Sequence, residues 1–194
     1  MTAKPEIALA AIAVRDLAMD IAFGVASALT RDKNGVVLDE DMRRVVGEQR
    51  LGFVATVCPD RTPNLSPKGT LAVWDDHHLV FAHLHSPQTV ANIELGNDIV
   101  EVNVVDPILR KGYRFKGSAT VHRDGPIHAA GLRFFHDRSG LAADRIQAVV
   151  IIRVDYVSAV LSPAYDDGST EEQIEARSLS TYGLTRTVEP PSRA

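Results

Sequence analysis

Cysteine is nearly missing from this chain and aromatic residues are sparse: Cys58 is the one thiol among 194 residues, and Phe, Trp and Tyr make up 6%. A single thiol excludes an intrachain disulfide and any zinc site built from several thiolates, and it suits a reducing, cytoplasmic setting. Neither sign of charge is in large excess. The 21 basic and 25 acidic residues leave a formal charge of −4, so no global field draws the protein to nucleic acid or to an anionic membrane. Long apolar runs are missing too. Ile7 to Val14 follows Lys4, but Glu6 sits where a signal peptide would be basic, and Arg15, Asp16 and Asp20 interrupt the run before it could span a bilayer. No GxSxG, HExxH or GxGxxG occurs, which leaves a hydrolase or a Rossmann dehydrogenase without support.

What is present suffices for one domain with a sizeable core and some terminal elaboration, since 45% of the residues are hydrophobic. From Glu6 to Leu29, Ile7, Val14, Ile21 and Ala28 recur every seven residues with Ala11, Ala18 and Val25 between them, which predicts one or two helices ending at an Asn34-Gly35 turn. Asp39 to Gln49 reads as a second helix with acidic residues at its start. The period then changes. Leu51 to Val57, rich in strand formers, leads through the turn residues Cys58 to Pro63 into a return strand carrying Ser66 to Trp74. Leu79 to Ala82 forms a third strand, and Ser86-Pro87 then opens a helix running to Gly96. Ile99 to Val105 is a strand with Val100, Val102 and Val104 on one face. After an Asp106 to Gly112 loop, Tyr113 to His122 is another, with Gly117 as a bulge. Ile127 to His136 reads as a helix, Ile146 to Leu161 as a long last strand, and Glu171 to Ser178 as a short helix capped by Ser169 or Thr170. Strands joined by short turns and interrupted by two internal helices predict a closed antiparallel barrel.

The segment Pro63 to Thr70 and the helix start at Ser86 carry the chemistry. Free backbone N–H groups at a helix N-terminus bind phosphate, Ser86 and Thr89 add hydroxyls, and Lys68 on a neighbouring strand supplies positive charge. The plain alternative is that Ser86 caps the helix and Lys68 lies in solvent. His83 and His85, two apart, would share a strand face near His77 and His78, but no third ligand completes a metal site. Cys58 has no CxxC partner and only Arg61 as a basic neighbour, so a nucleophilic role has little support.

Leu51-Gly52-Phe53-Val54-Ala55-Thr56-Val57, Pro63-Asn64-Leu65-Ser66-Pro67-Lys68-Gly69, Leu79-Val80-Phe81, Asn92-Ile93 and Arg114-Phe115-Lys116-Gly117-Ser118-Ala119 occur in an order that resembles the pyridoxamine 5′-phosphate oxidase-like flavin-binding split-barrel family. The resemblance covers about residues 40 to 162 and leaves the N-terminal helix unexplained. It implies a mainly β fold with peripheral helices (α+β), an antiparallel split β-barrel that is homodimeric, with FMN at the subunit interface. The implied organisation is an N-terminal helical extension (1–38), the FMN-binding domain (39–162) and a C-terminal tail with a short helix (163–194). In that family the strand matching Ser66, Pro67, Lys68, Gly69, Thr70 and Leu71 runs along the flavin. Positions matching Ala82, His83, Gln88 and Thr89 hold its phosphate, and Arg114 matches a polar position near the ring.

Two departures stand out. Gln88-Thr89 replaces the Arg-Lys pair of pyridoxamine phosphate oxidases proper, and their arginine-rich, tryptophan-containing C-terminal motif is absent after Leu161, which points away from vitamin B6 oxidation. The expectation is an FMN-dependent oxidoreductase acting on a small molecule, with Lys68 as the phosphate or ring-edge cation and Ser66, Thr70, Ser86 and Thr89 as donors. Because function resides in the site rather than the fold, a deazaflavin or haem ligand, or a non-catalytic flavin-binding or sensing role, are the alternatives.

Overall fold

The computed structural model describes residues 31–32 and 35–185; the expected helix from Glu6 to Leu29, and Asn34 of the expected turn, lie outside them. Strands β1 (Arg31–Asp32) and β2 (Gly35–Val36) pair antiparallel. Helix α1 (Glu40–Gln49) begins where the Asp39 carboxylate accepts a hydrogen bond of 2.8 Å from the Met42 N–H, as the acidic start predicts. Its buried residues Met42, Val45 and Val46 recur at helical spacing and join the core together with Val36 and Leu38.

The strands follow the expected order: β3 (Gly52–Val57), β4 (Pro63–Lys68), β5 (Ala72–Val73), β6 (His78–His83), β7 (Ile99–Asp106), β8 (Lys111–His122) and β9 (Ala148–Leu161). Helix α2 (Pro87–Glu94) links β6 to β7, and α3 (Gly125–Ser139) links β8 to β9. Helix α4 (Glu171–Tyr182) follows β9, with a capping box between Thr170 and Gln173. Among the described residues no helix is long and apolar enough to cross a membrane.

All pairings are antiparallel, and the sheet runs β4-β3-β7-β8-β9-β6-β5. Its inward side chains, Val54, Val100, Val102, Val104, Phe115, Leu79, Phe81 and Ile152, make one core with α1 and α2. β6 and the start of β9 are buried on both faces, because Val80, Ala82, Val149 and Ile151 pack outward under Phe135 of α3. This explains why Val149 to Ile152 is an unbroken apolar run rather than an alternating one.

Two sequence expectations need correction. The return strand does not run on from Ser66 to Trp74: it stops at Lys68, and β5 lies at the opposite edge of the sheet. Residues 69–71 cross from one edge to the other, with the Leu71 N–H donating to the Lys68 carbonyl at 3.4 Å. The barrel is therefore split rather than closed. Among the described residues β4 pairs only with β3, and Pro63 and Pro67, in phase with Leu65, remove two of the three N–H groups on its other edge. On the other side, Thr70 Oγ1 both accepts from the Ala82 N–H (3.0 Å) and donates to the Ala82 carbonyl (3.2 Å), replacing a backbone partner where β5 falls short.

Gly117 marks the expected irregularity, a register shift between Lys116 and Gly117 against β9. A Cβ on Gly117 would overlap the Arg153 carbonyl, whereas one on Gly47, in α1, meets nothing within 4 Å. The two glycines therefore respond oppositely to alanine. Gly117→Ala should destabilise by about 1–3 kcal/mol through overpacking, and Gly47→Ala should stabilise by about 0.5–1 kcal/mol through helix propensity. Urea unfolding of the two variants checks both signs.

Candidate functional site

Alternation along β4 puts Asn64, Ser66 and Lys68 on the inner side and Pro63, Leu65 and Pro67 on the exposed outer side. Lys68 is only 4% exposed, and its ammonium lies 5.3 Å from the centre of the Phe81 ring. From there Nζ donates to Ser66 Oγ (2.6 Å), Ser86 Oγ (3.0 Å) and Thr89 Oγ1 (3.4 Å). Among the described residues the partners are three hydroxyls and no carboxylate. Burial therefore acts without an opposing charge and lowers the Lys68 pKa to about 8.

This arrangement overturns the plain alternative of a solvated lysine. Ser86 holds the expected N-cap position with Pro87 in the first turn, but its side chain makes no capping bond; Oγ turns instead to Lys68 and lies 3.5 Å from His83 Nδ1. His83 is buried, and desolvation, followed by the nearby Arg123 and Lys68 charges, lowers its pKa, which favours the neutral ring. β6 ends at His83 and His85 is exposed in the bend that follows, so the two do not share a strand face.

Behind the ammonium lies a polar network in which Thr56 and Asn92 are residues that sequence reasoning did not assign to the site. Asn64 Nδ2 donates to Thr56 Oγ1 (2.9 Å) and Thr89 Oγ1 (3.2 Å), and Asn92 Nδ2 donates to the same Thr56 oxygen at 2.9 Å. Gln88 Nε2 in turn donates to Asn92 Oδ1 at 2.7 Å. Thr56, Thr89 and Asn92 are all buried, so the chain of bonds ties the start of α2 to the β3–β4 hairpin that carries Lys68. The signal was present: Asn64, Ser66 and Lys68 are two apart on a strand, and Thr89 and Asn92 are three apart on a helix.

The remaining expected site residues separate. Ser66, Lys68, Ser86 and Thr89 meet, and His83 and Gln88 adjoin them. Pro67 is exposed on the outer side of β4, and Gly69 is exposed with open space at its Cβ position. Leu71 is in the main core, Ala82 packs on the opposite face of β6, and Thr70 is engaged with the Ala82 backbone. Arg114 is not at the ammonium: its Nε lies 3.0 Å from Glu101 Oε1, with Lys116 3.3 Å from the other carboxylate oxygen. Its cross-strand neighbours run through Asn103 and Phe53 to Pro67, so Arg114 and Pro67 share the outer face of the sheet.

Residues 38–160 match the family model described as pyridoxamine 5′-phosphate oxidase. The chain belongs to the pyridoxamine 5′-phosphate oxidase family. The match begins at Leu38, just before α1, and ends inside β9, so it contains the whole Lys68 network. Among solved structures, HupZ of Group A Streptococcus is 31% identical with a TM-score of 0.57, the alignment covering 64% of this chain and 94% of that one. An FMN-binding protein from Syntrophomonas wolfei subsp. wolfei has the same fold at 13% identity and a TM-score of 0.53, covering 77% of this chain and 96% of its own. No curated protein matches the chain. Like other members of the pyridoxamine 5′-phosphate oxidase family, it is a curled antiparallel sheet with flanking helices.

The Lys68 charge has a consequence for stability. Because its folded-state pKa, about 8, lies below the ordinary 10.5, the folded protein binds fewer protons than the unfolded chain between these values. Its burial therefore costs stability below about pH 8, and the cost fades as pH rises toward 10.5. Lys68→Met should stabilise the ligand-free protein at pH 7 by an amount on the order of 2 kcal/mol, with the gain shrinking by pH 10. Denaturant unfolding of both proteins at the two pH values measures it.

Proposed function

We propose that this protein is an FMN-dependent oxidoreductase acting on a small molecule, with the FMN phosphate at the Lys68 network and the flavin held at the interface of a homodimer. One observation carries the reading: a buried ammonium surrounded by hydroxyls and lacking a carboxylate is a site built for an anion. The donor set fits a phosphate monoester. Lys68 supplies the charge, Ser66, Ser86 and Thr89 can turn their hydroxyl protons toward phosphate oxygens, and the α2 N-terminus adds its dipole. Gln88 and Thr89 leave the helix start without a cation, so neutralisation falls to Lys68.

FMN, when bound, supplies hydride or electron transfer, and the chain's part is to hold and orient it. Asn64, Thr56 and Asn92 fix the positions of Thr89 and the β4 strand. Exposed Gly69 gives close backbone access, and Arg114, with Glu101, lies on the face where the ring would emerge past Pro67. That outer face is apolar, with Phe53 43% and Leu65 63% exposed beside Leu51 and Val105, and a second copy of the chain is the proposed cover. The unit in this reading is residues 39–162, flanked by the 1–38 extension and the 163–194 tail. The single free thiol, Cys58, is consistent with a cytoplasmic setting.

The visible spectrum of the purified protein tests the ligand: a flavin spectrum, native or gained on titration with FMN, is expected, and its absence or a haem spectrum overturns the reading. Lys68→Ala should weaken FMN binding by about 1.5–3 kcal/mol, followed by quenching of flavin fluorescence. Affinity should hold below about pH 8 and fall above it, because deprotonation of Lys68 in the free protein then competes with binding. An affinity unchanged by both the substitution and the pH removes Lys68 from the phosphate site.

A further inference from the structure

Every residue of the Lys68 network lies within the matched family segment, 38–160, whereas helix α4 lies beyond it. Helical spacing puts Ile174, Arg177, Ser178 and Thr181 on one face of α4. With Arg110 and Ala164 they line a cavity of about 240 Å³ that includes no residue of the Lys68 network. Arg110 closes the turn between β7 and β8 in the left-handed conformation, at φ 55. Its backbone is held on both sides: the N–H donates to the Asp106 carbonyl (2.7 Å), and the carbonyl accepts from the Ser162 N–H (3.0 Å). Charge is sorted around α4. Glu171, Glu172 and Glu175 line a separate cavity with Asp106, and Glu171 pairs with Lys111. Among the described residues neither Arg110 nor Arg177 has a carboxylate partner, in a chain whose formal charge is −4.

Ser178 is the buried polar group of this cavity. It is 6% exposed, and among the described residues its hydroxyl has no hydrogen-bond partner. The described side-chain atoms sealed from solvent without a partner are Asn103 Oδ1, Arg114 Nε and His128 Nε2; the Ser178 hydroxyl is not one of them and opens on the cavity it lines. Alanine would bury the same face and is the better helix former, so the helix itself does not require the hydroxyl. Thr181 Oγ1 is taken up by the Arg177 carbonyl, to which it donates at 2.8 Å. The C-terminal half of a helix offers an anion no help from the dipole, so recognition falls to the two guanidiniums and Ser178. We propose that Arg110, Arg177 and Ser178 form a second anion site, which takes the phosphate group of a small phosphomonoester. Two guanidiniums match a dianion, each presenting a fork to its oxygens, while the serine hydroxyl donates to another. A carboxylate has one charge and two oxygens and leaves part of this donor set unmet. Ala164 and Ile174 give the carbon stem beyond the phosphate an apolar wall. The site stands on α4 and the β7–β8 turn, and it does not rest on the flavin reading.

Inorganic phosphate is titrated by calorimetry, at neutral pH and low salt, against the Lys68→Met protein, in which the proposed FMN phosphate site has lost its cation. One saturable site per chain is expected. Arg110→Gln or Arg177→Gln should weaken it about tenfold or more and Ser178→Ala several-fold, and acetate should bind about tenfold more weakly than phosphate. Both arginines are exposed, so these variants keep the fold. Arg177→Lys, which keeps the charge without the fork, should bind phosphate more tightly than Arg177→Gln and less tightly than the parent. Absence of saturable binding to the Lys68→Met protein, an affinity indifferent to both arginine substitutions, or acetate bound as tightly as phosphate overturns the inference. Phosphate captured by the wild-type protein but not by Lys68→Met does so too, since it assigns the binding to Lys68. FMN affinity that is indifferent to Lys68→Ala, by contrast, removes the Lys68 site and leaves this one standing.

Discussion

A positive charge buried without a negative partner is the constraint on which the rest of this structure turns. Lys68 is buried against Phe81, and among the described residues only hydroxyls reach its ammonium. In most proteins such a charge is paired or replaced, because hydroxyls do not repay its desolvation. Here three separate elements are arranged around it. β4 brings Ser66, the segment before α2 brings Ser86, and α2 itself brings Thr89, while Thr56, Asn64 and Asn92 hold those elements together from behind. This bracing of polar residues around an unmet charge is what the proposed phosphate site rests on.

The same strand divides two faces of the sheet. Because side chains alternate across β4, its inner positions face the ammonium while Leu65 and Pro67 lie on the apolar outer face. The prolines that blunt the free edge, and the short crossing at residues 69–71, leave this edge unpaired but not open to strand addition. The pyridoxamine 5′-phosphate oxidase family fold supplies the curled sheet, and this chain's own residues give its two faces their opposite character.

Local pattern was enough to find nearly every described element. The acidic start of α1, the valine alternation of β7, the bulge at Gly117 and the cap at Thr170 are all written in short stretches, because each depends on neighbours within a few residues. The errors came where the chain had to cross space. Residues 66 to 74 looked like one strand because nothing local says that Gly69 and Thr70 pass from one sheet edge to the other. Ser86 sits at the expected N-cap, but that its hydroxyl leaves the helix for Lys68 was not visible, because Lys68 is distant in sequence. That Arg114 stands apart from Lys68, on the outer face, is likewise set by the register of β7 against β8.

By itself, then, the sequence determined the order and type of the elements, and it put Ser66, Lys68, Ser86 and Thr89 forward as one anion-binding group, since those readings need only period, caps and residue chemistry. Tertiary structure decided the rest. Only folding buries Lys68 away from carboxylates, recruits Thr56, Asn64 and Asn92, and moves Pro67 and Arg114 to the outer face. Burial and strand register are properties of contacts between distant residues, and no window of the chain contains both members of such a contact.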